Sequence, residues 1–337
     1  CLFGTKLIGV NTRYALTMET MKMENNNATN GGCVSIESSK KVNFISTSMR
    51  NCYAKINGGG LYMYDTKQVS LVSTSIKLST AEMGGGGGVF WDFEKDDKTL
   101  DQIPEDPLRL MDQSIIEHNN AGYGSQEASG PFVLLQDGGP SNIADFAYKG
   151  TKSNARINIQ QQGSGIAIYP EITFKILDYY GQTVKSENEA VIKFSPKLKI
   201  AKQKSWIPPA SMLGSVENNT IELDVDNIEG EFTGIYETIV SEGIAMFNYL
   251  GAKGTPGMTF RAKVSADTLS YIPVDVEVIF KNCTQGQKWT LENGCVQCEN
   301  GKYSKQTNAL DCLSCLPGKV SDNSGILQNL GETTEGA

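Results

Sequence analysis

Apolar and polar positions along the first third of the chain recur in a fixed order. Asn57-Gly58-Gly59-Gly60 runs into the alternating stretch Leu61-Tyr62-Met63-Tyr64. The same design stands 27 residues earlier as Asn30-Gly31-Gly32-Cys33-Val34-Ser35-Ile36-Glu37, and 28 residues later as Gly86-Gly87-Gly88-Val89-Phe90-Trp91-Asp92. Val42, Phe44 and Ile45 match Val69, Leu71 and Val72 at an offset of 27, as Ser48-Met49 matches Ser75-Ile76. A looser copy precedes them at Ala15–Met18 with Thr20-Met21. Each unit reads as a short strand, a polar turn, a second strand and a turn back to glycine. Strands this short cannot bury their inward side chains alone, whereas stacked coils line up equivalent apolar positions. The pattern predicts the C-terminal coils of a right-handed parallel β-helix over residues 1–130. The alternative is an antiparallel sheet with glycine hairpins.

The repeat is interrupted by an acidic, proline-bearing insertion, Asp92 to Pro107, and resumes weakly at Leu108-Arg109-Leu110 and Ser114-Ile115-Ile116. A degenerate last coil is expected where a solenoid must face another element instead of a copy of itself. From 131 to 281 the glycine period stops and alternating runs appear: Arg156–Gln160, Glu171–Leu177, Ala190–Phe194, Ile221–Val225, Thr259–Val264 and Val274–Phe280. Turn chemistry separates them at Asp178-Tyr179-Tyr180-Gly181-Gln182 and Gly254-Thr255-Pro256-Gly257. This segment reads as an immunoglobulin-like antiparallel β-sandwich, with Trp206 in its core or in a long connection. Residues 282–318 form a small cysteine module, and 319–337 a Ser/Asn/Gly/Glu-rich linker or tail.

Composition narrows the function. A net charge of -8 with five arginines (Arg13, Arg50, Arg109, Arg156, Arg261) opposes nucleic-acid binding, which needs a basic surface. No apolar run approaches the ~20 residues that cross a bilayer. The chain opens at Cys1 without a leader and is read as a piece of something longer, reaching a membrane only through segments outside it. Sequons at Asn27, Asn218 and Asn282 permit N-glycosylation in a secreted chain.

Five of the eight cysteines fall between Cys283 and Cys315. Two Cys-x2-Cys pairs, Cys295/Cys298 and Cys312/Cys315, could hold zinc; the central spacing is short for a zinc ribbon and leaves Cys283 unexplained. A segment with almost no aliphatic core fits disulfides better. The expected pairs are Cys283–Cys295 and Cys298–Cys312, leaving Cys315 for a partner beyond residue 337. Cys33 and Cys52 share one coil and either bridge it or lie buried; they correspond to Gly60 and Ser79 of the next coil. Cys1 pairs upstream or is the odd one out.

The repeats resemble the glycine-glycine-apolar units of pectin-lyase-like parallel β-helices and of polymorphic outer-membrane proteins. The exit Asn119–Gly124 through Ala128–Pro131 and the strand end Asp178–Gln182 resemble the passage into an immunoglobulin- or filamin-like domain. Cys295-Val296-Gln297-Cys298 through Ser304, then Cys312-Leu313-Ser314-Cys315-Leu316-Pro317-Gly318, resembles growth-factor-receptor-like (ephrin-receptor or GCC2/GCC3-type) modules. The order of parts is similar to that of very large ciliate-type cell-surface proteins. The resemblance implies a membrane-tethered ectodomain far more than an activity.

Carbohydrate-active β-helices need carboxylates clustered on successive coils. The equivalent outward positions read as Glu37 against Tyr64 and Ser46 against Ser73, which is no acidic ladder. Asp92, Glu94, Asp96 and Asp97 in the insertion, and Asp224 and Asp226 farther on, are weak calcium candidates by oxygen-ligand chemistry; interleaved lysines make a solvated loop the simpler reading. Glycines 84–88 lack the Lys-Ser/Thr of a phosphate loop. His118, the one histidine, reads as a surface residue of the capping coil. No residue is assigned as catalytic and no cofactor is implied. Tyr62 and Tyr64 are candidate contact residues, with one of the two expected to point inward. The leading expectation is a noncatalytic, glycosylated extracellular segment working in surface assembly, adhesion or recognition through other surface proteins. The alternatives are a carbohydrate-active or glycan-binding β-helix and the ectodomain of a surface receptor.

Overall fold

In the computed structural model the described residues are 5–8, 16–93, 106–137, 156–196, 230–266, 269–290, 293–317, 319–321 and 327–329. They form strands and loops with no helix among them. Residues 16–93 and 106–129 supply four coils whose strands stack in parallel, and Thr5–Ile8 adds one more strand to the stack.

Each coil carries four short strands, where the sequence pattern suggested two. The first sheet stacks Thr5–Ile8, Val34–Glu37, Leu61–Tyr64, Val89–Asp92 and Glu127–Ser129. The second stacks Leu16–Glu19, Val42–Ile45, Val69–Val72 and Leu108–Met111. The third holds Lys22–Glu24, Ser48–Arg50, Ser75–Lys77 and Ile115–Glu117; the fourth holds Asn27–Ala28, Tyr53–Ala54, Thr80–Gly85 and Asn120–Tyr123. The register follows the repeat: Val34 meets Leu61, and Leu61 meets Val89. Strands of two to four residues, with Thr80–Gly85 the longer exception, turn between sheets before alternation becomes readable, which is why the extra corners escape the pattern.

All four corners turn on left-handed residues that stack in columns. One column is Gly31, Gly58, Gly86 and Gly124; a second begins with Ser38 and Asp65; a third is Thr20, Ser46, Ser73 and Asp112; the fourth is Asn25, Asn51, Leu78 and His118. The next glycine serves a different need. A Cβ on Gly59 would lie 2.3 Å from the Gly87 carbonyl oxygen of the neighbouring coil, so only a bare Cα lets the coils close. Corner N–H groups that the strands cannot pair go to inward polar side chains. Thr47 N–H donates to Thr74 Oγ1 (3.3 Å), Ser79 N–H to Asn119 Oδ1 (2.9 Å) and Gly85 N–H to Asn57 Oδ1 (2.9 Å). Between the corners the interior is apolar, with Ile36, Phe44, Met49, Met63, Leu71 and Ile76 fully buried.

Antiparallel sheets follow. One orders Val133–Gln136, Ile172–Leu177 and Ile244–Phe247. A five-stranded sheet orders Arg156–Gln162, Leu269–Phe280, Thr259–Ala266, Val191–Pro196 and Glu237–Ile239. In it the pair Arg156–Gln162 with Leu269–Phe280 is parallel, the exception to the antiparallel rule. A small third sheet joins Ile166–Ala167, Leu250–Gly254 and Gly230–Gly234. Strict alternation along Thr259–Ala266 sends Phe260, Ala262, Val264 and Ala266 inward. Phe194 and Phe247 pack edge-on at 4.8 Å in the middle of this core. The expected strand Ile221–Val225 and Trp206 lie outside the described residues.

The cysteine module is two hairpins, Gln287–Thr290 with Gly294–Gln297 and Lys302–Tyr303 with Leu313–Ser314. Disulfides join Cys283 to Cys295 and Cys298 to Cys312, and a third joins Cys33 to Cys52 within a single turn of the ladder. Cys295 and Cys298 therefore go to different bridges and do not share a zinc. Cys315 is unpaired among the described residues, and Cys1 lies outside them. Within the tail, which composition read as linker, Lys319–Ser321 pairs with Leu327–Asn329.

Candidate functional site

The place where the molecule concentrates buried polar chemistry is the joint between ladder and sandwich. Its centre is Asp178, fully buried at the turn after Ile172–Leu177. The turn forms because the Asp178 carboxylate gathers local N–H groups: Tyr180 N–H at 3.0 Å and Gln182 N–H at 2.7 Å reach Oδ1, and the Gln182 side-chain amide reaches Oδ2 at 3.0 Å. From the ladder, Ser129 N–H donates to Oδ2 at 3.2 Å. In return Tyr179 N–H donates to Ser129 Oγ at 2.8 Å, and Gln182 Nε2 donates to the Glu127 carbonyl at 2.9 Å. Burial pushes the Asp178 carboxyl up to about 6, against the hydrogen bonds from Gln182, Ser129 and Tyr180 that hold it down.

A second polar chain runs beside it. Trp91 Nε1 donates to Tyr180 Oη at 3.1 Å, and Tyr180 Oη donates to Asp106 Oδ2 at 2.9 Å. Burial, then the nearby Asp106 and Glu127 charges, raise the Tyr180 phenol; burial, then Asp106, raises the Glu127 carboxyl. Around these groups Trp91, Phe93, Phe132 and Tyr179 pack edge-on or tilted, with centroids 5.3 to 6.4 Å apart. Tyr179 and Tyr180 thereby close the ladder's interior over Trp91. Phe90, Tyr123 and Ala128 of the last coils belong to the same core as Phe174, Phe194 and Phe247 of the sandwich. Docking uses the outward face of the first sheet, so the sandwich covers both the side and part of the end of the ladder.

That first sheet also carries the contact candidates. Leu61 and Met63 point inward, so Tyr62 and Tyr64 both point outward, against the expectation that one would turn in. The reason is the period of two: residues 62 and 64 share a face. Tyr62 is no free contact residue, because its ring stacks on Phe90 at 5.8 Å and 4°. Register places Glu37, Tyr64 and Asp92 in one outward column, so Tyr64 has a carboxylate residue one coil away on each side. Ser46 and Ser73, compared from sequence as outward positions, are corner residues.

Of the calcium candidates, Asp92 ends the strand Val89–Asp92 and receives the Phe93 N–H at 2.9 Å. Glu94, Asp96, Asp97, Asp224 and Asp226 lie outside the described residues, as does the sequon residue Asn218. Among the described residues no three His, Cys, Asp or Glu side chains converge to hold a metal. His118 is an exposed corner residue beside Glu117, at 3.6 Å. Asn27 and Asn282 are both exposed. The sequence reading missed the role of Asp178 beyond its turn; the signal was an apolar-flanked Asp followed four residues later by Gln, a pattern that closes a turn but does not name the ladder as its partner.

No family model, curated protein or solved structure matches the chain.

Proposed function

We propose that this chain is a noncatalytic extracellular segment of a cell-surface protein, acting in surface assembly or recognition through contacts with other surface proteins. The observation that carries the reading is the shared core at the joint, in which Phe90, Tyr123 and Ala128 of the ladder pack with Phe174 and Phe247 of the sandwich. The apolar surface and buried polar groups here serve to join two bodies into one stiff element, which suits a spacer or display scaffold. Three disulfides are compatible with an oxidising, extracellular setting. The resemblance in the order of parts to very large ciliate-type surface proteins supports membrane tethering through segments outside this chain.

A glycan-binding reading has one observation in its favour, the outward column Glu37–Tyr64–Asp92 beside Tyr62, which sets carboxylates next to aromatic rings. Surface labelling of intact cells with an antibody to this chain, combined with cell-adhesion inhibition by the purified chain, tests the primary reading. Labelling without permeabilisation and dose-dependent inhibition support it. Polysaccharide depolymerisation by the purified chain, abolished on changing Asp92, would overturn it.

A further inference from the structure

We propose that Asn282 is an N-glycan acceptor at the joint between the sandwich and the cysteine module. This rests on the extracellular reading above. Asn282 follows the last sandwich strand, Leu269–Phe280, and directly precedes Cys283, whose side chain is buried and bridged to Cys295. The sequon is Asn282-Cys283-Thr284.

The two ends of the Asn282 amide have separate duties. Its Oδ1 accepts from Asn308 Nδ2 of the module at 2.8 Å, while Asn308 Oδ1 accepts the Cys283 N–H at 2.7 Å. The same Oδ1 lies over Gly257 of the sandwich, where an added Cβ would meet it at 2.4 Å. The side chain thus ties the end of the last strand to the module through its oxygen alone, beside the β-turn at Gly257. Its Nδ2, the atom a glycan would occupy, has no hydrogen-bond partner among the described residues, and the residue is exposed. Thr284, the sequon hydroxyl, is exposed and bonds its neighbour Gln287 Oε1 at 3.1 Å, taking no part in the tie.

Glycosylation replaces one Nδ2 hydrogen and leaves Oδ1 an amide oxygen. Nδ2 forms a bond to the anomeric carbon of an oligosaccharide carried on a lipid diphosphate. The C1–O bond to that diphosphate breaks, the diphosphate leaves with the electron pair, and Nδ2 loses a proton. Nothing in the tie is lost when the sugar is added, so the modified residue keeps the folded joint.

The test routes the full chain through a eukaryotic secretory pathway behind a heterologous signal peptide. Native location then plays no part, and failure of this proposal is distinguishable from failure of the extracellular reading. In the secreted, disulfide-bonded fraction, peptide mass spectrometry after enzymatic deglycosylation in 18O water reads occupancy at Asn282 and Asn27 separately. The proposal predicts an 18O-aspartate at 282, retained in Thr284→Ser and lost in Thr284→Ala. Because Thr284 lies outside the tie, Thr284→Ala folds and is secreted while lacking this glycan. An unmodified Asn282 in the secreted chain, or a mark that persists in Thr284→Ala, would overturn it.

Discussion

Asp178 and Ser129 hold each other across the joint. Ser129 N–H donates to Asp178 Oδ2 at 3.2 Å, and Ser129 Oγ accepts the N–H of the adjoining Tyr179 at 2.8 Å. Residues 49 positions apart in sequence thereby link the sandwich's turn to the last strand of the ladder.

Asp178→Ala leaves four N–H donors of Ser129, Tyr180 and Gln182 without their acceptor in a buried site. An unmet buried donor costs about 1–3 kcal/mol, and some of these four will find water or new geometry. The expected loss is about 3 kcal/mol, measured by urea unfolding. A loss under about 0.5 kcal/mol would show that the carboxylate does not organise the joint.

The raised Asp178 carboxyl makes stability depend on pH. Its folded value, about 6, lies above the ordinary 3.8, so the folded chain holds a proton that the unfolded chain has released. The stabilisation from that proton is fully present below about pH 4 and is lost as pH rises through 6. The difference of about two units corresponds to about 3 kcal/mol at most. Unfolding titrations from pH 4 to 7 are expected to show this decline in the wild type and a flatter profile in Asp178→Asn.

Leu78 occupies a corner with φ of +56°, in the column that Asn25, Asn51 and His118 also fill. A branched apolar residue is costly there, and Asn is among the residues that tolerate the left-handed region. Asn51 Nδ2 already donates to Asn25 Oδ1 at 3.3 Å, so Leu78→Asn extends an existing column. The expected gain is about 1 kcal/mol in thermal or urea unfolding. A destabilised Leu78→Asn would mean that Leu78 makes packing contacts outweighing its backbone strain.

Gly59→Ala drives a methyl against the Gly87 carbonyl at 2.3 Å and the Thr80 backbone at 2.6 Å. Backbone on both sides leaves no side chain to move, so the loss should exceed about 3 kcal/mol. Gly122→Ala is the control, since its nearest neighbour is the Gly84 oxygen at 3.1 Å and the next is at 3.8 Å. It should cost less than about 1 kcal/mol.

How far the fold was readable follows from these residues. The glycine corner stood out because it needs glycine twice, once for positive φ at Gly58 and once for coil contact at Gly59. The other corners use Thr20, Ser46, Asn51 and Asp65, residue types common in any loop, so the four-sided coil stayed hidden. Cysteine spacing pointed to Cys283–Cys295 and Cys298–Cys312, and the structure makes those bridges. Tyr62 looked like a contact residue because the partner that covers it, Phe90, is buried by a domain beginning some forty residues later. The joint at Asp178 was legible as a turn and illegible as an interface, since hydrogen bonds between distant segments leave no periodic trace.

Calorimetry of the intact, oxidised chain tests the central claim most directly. If ladder and sandwich share one core through Phe90, Tyr123 and Asp178, they melt in a single transition whose calorimetric and van't Hoff enthalpies agree. Two resolved transitions, with the sandwich melting at the temperature it shows when expressed without the ladder, would contradict the account.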